Sequence, residues 1–152
     1  AYTWADGDTY TGELQNNLKH GQGTDNYANG NTFVGEYRKG KRHGQSAVTL
    51  ANGDTFVGEF QNNLQHGHGT YNYSNGNTFA GEYRKGKRHG QGTFTSTNGA
   101  TYTGHYQNGK YQGLDDSMFS QGEMHLGELK KMNSLSELKP LPELKISSYF
   151  IE

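Results

Sequence analysis

Five blocks of 23 residues follow one another without a gap: GDTYTGEL from Gly7, GNTFVGEY from Gly30, GDTFVGEF from Gly53, GNTFAGEY from Gly76 and GATYTGHY from Gly99. A fixed period of this length makes each block a unit that buries its apolar face only against its neighbours, which defines a solenoid. Function in such a chain belongs to a long surface rather than to one catalytic pocket.

Within a block the residues alternate as strands do. In Thr9-Tyr10-Thr11-Gly12-Glu13-Leu14, positions 10, 12 and 14 share one face and 9, 11 and 13 the other. A second strand follows, with columns Tyr2, Asp25, Val48, Tyr71, Phe94 and Trp4, Tyr27, Leu50, Tyr73, Ser96, Phe119. Between the strands lie NNLKHG or RKGKRHG; between blocks lie Asn29-Gly30, Asn52-Gly53, Asn75-Gly76 and Asn98-Gly99. Asn-Gly predicts a type I′ turn, because both residues accept positive φ. Each block is then a β-hairpin, and the whole an elongated, single-layer antiparallel meander advancing roughly 10 Å per repeat and about 50 Å over five. Gly12, Gly35, Gly58, Gly81 and Gly104 leave room for a ring from the adjacent hairpin to lie against the backbone. Gly21, Gly44, Gly67, Gly90 and Gly113 close the loop after the basic turn, where positive φ is expected.

Composition agrees. The 152 residues are 30% hydrophobic, with 23 Gly, 11 Tyr and 7 Phe, so aromatic rings rather than Leu, Ile and Val must supply the buried area. There is no Cys, which excludes disulfides and thiolate metal sites. No apolar run approaches the roughly 18 to 20 residues that span a bilayer as a helix. Tyr2 already falls inside a repeat and Ala1 follows no Met, so the chain reads as a fragment or a processed product. Its location stays open between cytoplasmic and membrane-peripheral.

The string YxGxΦ…GKRHGxG at this period closely resembles the MORN repeat. It appears at Tyr10 through Gly23, Phe33 through Gly44, Phe56 through Gly69, Phe79 through Gly92 and Tyr102 through Gly113. Departures are Leu14 and Phe60 where that family often has Trp or Tyr, Ser46 for glycine and His105 for the repeated Glu; none disturbs the period. The resemblance implies a MORN-repeat solenoid acting in interaction, dimerisation or membrane association. Repeats two and four are nearly identical, as are large parts of one and three, so a 46-residue unit is what duplicated.

The ribbon is expected over residues 1–129: a partial repeat at 1–6, five clear repeats at 7–113 and a degenerate capping repeat at 114–129, where Gly122 to Leu129 keep the register. Residues 130–152 form a non-repeat tail. Leu129, Met132, Leu135 and Leu138 predict a short helix before Pro140, followed by extended chain. Residues 1–113 hold ten Lys or Arg against eight Asp or Glu, and 114–152 four against seven, so the tail is acidic relative to the ribbon. It is expected to fold back on the ribbon or to pack on a neighbouring one.

Two features are candidates for binding. Tyr10, Phe33, Phe56, Phe79 and Tyr102, with Leu14, Tyr37, Phe60, Tyr83 and Tyr106, can line an aromatic groove for a peptide or amphipathic helix, or serve simply as the core. The loops carrying Lys39, Lys41, Arg42 and Lys85, Lys87, Arg88 form a basic edge suited to anionic lipid, the alternative being solvated loops balanced by Glu13, Glu36, Glu59 and Glu82. A net charge of −1 argues against nucleic acid. Gly35 to Lys41 has phosphate-loop spacing, but Arg42 stands where magnesium needs Ser or Thr, and the setting is a hairpin. His20, His43, His66 and His89 repeat about 10 Å apart, too far for one metal. No metal site, cofactor or catalytic triad is expected. The sequence therefore favours a non-catalytic scaffold that binds a protein segment, its own tail or a second copy. A peripheral membrane module and an accessory region of a larger enzyme are the alternatives.

Overall fold

The computed structural model describes residues 1–113 together with Leu141, Pro142 and residues 144–146. The capping repeat expected at 114–129 and the helix expected from 130 lie outside these residues. The strands are Tyr2–Thr3 (β1), Thr9–Gln15 (β2), Leu18–Asn26 (β3), Thr32–Arg38 (β4), Lys41–Thr49 (β5), Thr55–Gln61 (β6), Leu64–Asn72 (β7), Thr78–Arg84 (β8), Lys87–Thr95 (β9), Thr101–Gln107 (β10) and Lys110–Gly113 (β11). Each pairs antiparallel with the one before it in one open sheet, which is the predicted hairpin meander.

The two kinds of connection are the reverse of the sequence expectation. The type I′ turns are the two-residue loops inside each block: Asn16-Asn17 has φ of 53° and 62°, and Lys39-Gly40, Asn62-Asn63, Lys85-Gly86 and Asn108-Gly109 repeat that pattern. The Asn-Gly pairs between blocks sit instead in three-residue loops. There Tyr27 N–H donates to the Asn31 carbonyl and Gly30 N–H to the Tyr27 carbonyl, both at 2.9 Å, and only Gly30 is left-handed, at φ 96°. Asn29 uses its Oδ1 to accept the Asn31 N–H at 2.9 Å, an Asx turn that needs no positive φ at the asparagine.

Side chains then stitch one repeat to the next. Oδ1 of Asp8 accepts the Ala28 N–H at 2.8 Å, Asn31 that of Ala51 at 2.9 Å, Asp54 that of Ser74 at 2.8 Å and Asn77 that of Thr97 at 3.0 Å. At the opposite edge, Gly40 N–H donates to the Lys19 carbonyl and Asn63 N–H to that of Arg42, at 2.9 and 3.0 Å.

Within each of the first four hairpins the register shifts once, between Gly12 and Leu14, Gly35 and Tyr37, Gly58 and Phe60, and Gly81 and Tyr83. On the facing strand Gly21, Gly44, Gly67 and Gly90 take the expected positive φ, from 65° to 86°, inside the strand rather than in a loop. A bulge leaves an amide without a strand partner, and a glutamate supplies one: Glu13 Oε2 accepts from Gln22 N–H at 2.6 Å, Glu59 from His68 at 2.8 Å and Glu82 from Gln91 at 3.0 Å. These carboxylates close the bulges.

Gly58 and Gly69 lie directly opposite each other under the ring of Phe56, and a Cβ on Gly58 would fall 2.6 Å from the Gly69 Cα. The ring over Gly58 therefore belongs to its own hairpin, two residues back along the strand, whereas a Cβ on Gly69 would also meet Tyr83 of the adjacent hairpin at 3.4 Å.

Candidate functional site

One face of the sheet carries the core. Its rings form a continuous edge-to-face chain: Tyr10–Tyr37 (5.6 Å), Tyr37–Phe33 (5.3 Å), Phe33–Phe60 (5.4 Å), Phe60–Phe56 (5.8 Å), Phe56–Tyr83 (5.3 Å), Tyr83–Phe79 (6.0 Å) and Phe79–Tyr106 (5.0 Å). These separations and tilts suit the aromatic quadrupole. Eight of the ten groove residues expected from sequence are thus gathered and buried. Tyr102 packs half-buried beside them. Leu14 does not join: it is 50% exposed, because β1 pairs only with Tyr10 and Thr9 and no strand runs alongside the far end of β2.

The sequence reading missed a second column on this face. Lys19, Arg42, Gln65, Arg88 and Tyr111 recur every 23 residues, and all five are buried. Arg42 and Arg88 are therefore not part of an exposed basic edge, which corrects the expectation. The signal was available: Arg42 stands an even number of residues before Val48 and Leu50, which places it on their face. Lys41, one residue away, faces solvent with Lys39, Lys85 and Lys87. Arg38, Lys39, Lys41 and His43 line a shallow cleft with Gln61 and Asn62 on that edge.

Burying cations requires partners. Lys19 Nζ meets both oxygens of Asp25 at 2.8 and 3.0 Å and sits 4.9 Å from the Trp4 ring and 5.1 Å from that of Tyr10. Tyr37 donates its hydroxyl to the same carboxylate. The Arg42 guanidinium lies over Phe33 at 5.0 Å and donates to the Tyr27 hydroxyl; Arg88 lies over Phe79 at 4.5 Å and donates to the Tyr73 hydroxyl at 2.5 Å. Burial dominates the titration here. It depresses the Lys19 ammonium in spite of Asp25 and pushes the Tyr10, Tyr83 and Tyr106 phenols up to about 12.

A segment from the far end of the chain lies on this face. Leu144 is 8% exposed and belongs to the core, and Leu141 packs against it. Leu141, Pro142, Leu144 and Ile146 border a depression with Phe60, Leu64, Gln65 and the Lys85–Lys87 turn. Arg42 donates through an Nη to the Lys145 carbonyl at 2.6 Å. The Lys145 ammonium pairs with Asp6 and, at 2.8 Å, with Asp8, and these bonds raise its pKa and lower that of Asp6. Asp6, Asp8 and Lys145 were not singled out from sequence. Among the described residues no three His, Asp or Glu side chains converge as a metal site would need, and no helix is long and apolar enough to cross a membrane.

An open ribbon of repeated hairpins with one aromatic face defines a repeat protein. The MORN repeat matches residues 10–32, 33–55, 56–78, 79–101 and 102–114, well over half of the chain. The chain belongs to the MORN repeat family, whose repeats are generally non-enzymatic modules for protein or membrane interaction. A search of curated proteins returned no match.

Proposed function

We propose that the ribbon is a non-catalytic docking platform whose aromatic face holds a short segment of protein, and that in this chain the segment is its own, around Leu141 to Ile146. The observation that carries the reading is the burial of Leu144 among the groove rings, next to a backbone carbonyl held by the buried Arg42. Contact through both side chain and main chain is how a groove recognises an extended peptide. The Gln65 amide nitrogen beside this segment is buried with no hydrogen-bond partner among the described residues, which adds a donor for a main-chain acceptor. Leu144→Asp in the full chain tests the reading. It is expected to release the segment and bare the rings, seen as binding of a hydrophobic dye or as self-association in light scattering. A variant that stays dye-free and keeps the wild-type mass would overturn it.

The exposed lysines support a second reading, contact with anionic lipid. Lys39, Lys41, Lys85 and Lys87 occupy one edge, in two turns about 20 Å apart. Sedimentation with phosphatidylserine vesicles at low and raised salt decides it: salt-sensitive binding supports the role, and no binding at low salt removes it. An accessory role in a larger enzyme would take its catalytic groups from outside the residues described.

A further inference from the structure

The first repeat carries acid at two positions whose local duty does not require it. Asp6 Oδ1 accepts the Asp8 N–H at 3.1 Å, as Asn29 does for Asn31, Asn52 for Asp54 and Asn75 for Asn77, each at 2.9 Å. Asp8 Oδ1 accepts from Ala28 as Asn31 does from Ala51. Asparagine performs both tasks elsewhere, so two carboxylates add nothing to the turn except charge. Only the first repeat carries acid at both positions. That charge is taken up by the ammonium of Lys145.

The related site two repeats on differs. Oδ2 of Asp54 accepts the Tyr71 hydroxyl at 2.7 Å. Asp25 stands at the position of Tyr71 in the first repeat and is engaged with Lys19 and Tyr37, and Oδ2 of Asp8 takes Lys145. Asn52 replaces Asp6 there. The first repeat thus offers an ammonium two carboxylates, whereas the third offers one, whose Oδ2 already accepts the Tyr71 hydroxyl.

We propose that Asp6 and Asp8 make the aromatic face selective for a segment in which lysine directly follows a buried leucine, with Arg42 gripping the carbonyl of that lysine. The partner class is a short Leu-x-Glu-Leu-Lys peptide. This inference rests on the docking reading above and adds its specificity. The sequence carries the string twice, as Leu135-Ser-Glu-Leu138-Lys139 and as Leu141-Pro-Glu-Leu144-Lys145, so the chain holds two ligands of the class for one such site.

The test is a binding cycle on the full chain with both strings disabled by Leu138→Asp and Leu144→Asp. Labelled peptides of residues 140–150, with Lys or Met at the position of Lys145, are titrated by fluorescence anisotropy against this receptor and against its Asp6→Asn/Asp8→Asn version. The lysine peptide is expected to bind about tenfold tighter than the methionine peptide on the aspartate pair, and the gap to close on the asparagine pair. Equal binding of both peptides to the aspartate pair would overturn the selectivity and leave docking intact. Binding of neither would overturn docking, and the selectivity with it. In the otherwise native chain, Asp6→Asn/Asp8→Asn should speed amide exchange at Leu144 and Ile146, and unchanged exchange counts against the proposal.

Discussion

Lys19 and Asp25 form an ion pair, 2.8 Å from Nζ to Oδ1, with side chains only 3% and 1% exposed. Two repeats on, the equivalent residues are Gln65 and Tyr71, buried on the same face. The protein thus holds one position in both a charged and a neutral form. The pair is a matched set rather than two independent contributions.

From this, Asp25→Ala should destabilise by roughly 3 to 5 kcal/mol, because it leaves a buried ammonium without its carboxylate. The double change Lys19→Gln/Asp25→Tyr copies the third repeat and should cost under about 1.5 kcal/mol. Urea unfolding of both variants checks this, and a double change as damaging as the single one contradicts it.

Gly58→Val should cost at least about 1 to 3 kcal/mol. Its side chain would press on the Gly69 backbone and on the Phe56 ring, and a main-chain neighbour cannot swing aside. Val57→Ala, one residue away on the exposed face, should change stability by less than about 0.5 kcal/mol. Thermal melts of the two give the contrast.

Asp54→Asn should keep the bond to Ser74 N–H, since Asn31 and Asn77 make the same bond in their repeats. Asp54→Ala removes that acceptor and the partner of the Tyr71 hydroxyl together, and should cost about 1 to 3 kcal/mol. If the two substitutions proved equal in urea, the stitching role would be wrong.

Alkali should unfold the ribbon. Tyr10, Tyr83 and Tyr106 have folded pKa values near 12 against an ordinary 10.0, so the folded state holds these protons more tightly than the unfolded chain. Their stabilising effect is complete below pH 10 and is lost as pH rises from there through about 12. Tyrosinate absorbance and circular dichroism should therefore change together in that window. Titration of these phenols with the sheet intact would refute the account.

Much of the fold was legible in the residues themselves. The 23-residue spacing, the alternation through Tyr10, Gly12 and Leu14, and the paired turn signals suffice for an antiparallel meander, because strand parity is a local property. Turn type was not legible. Asn29 satisfies its neighbour's amide through its side chain, while Lys39 goes left-handed although it is not Gly or Asn. Arg42 was misplaced because its loop was read as a cluster of charge, when parity already set it beside Val48.

By itself, the sequence determined which residues share a face, how the hairpins follow one another, and that rings would fill the core. Tertiary structure alone decided what those faces meet. Period and parity are carried by neighbouring residues, so they survive in a linear string. The contacts of Lys145 with Asp6, Asp8 and Arg42 join positions more than a hundred residues apart, and no repeat pattern encodes them. They arise only where a sheet edge, two carboxylates and a buried guanidinium are brought together in space.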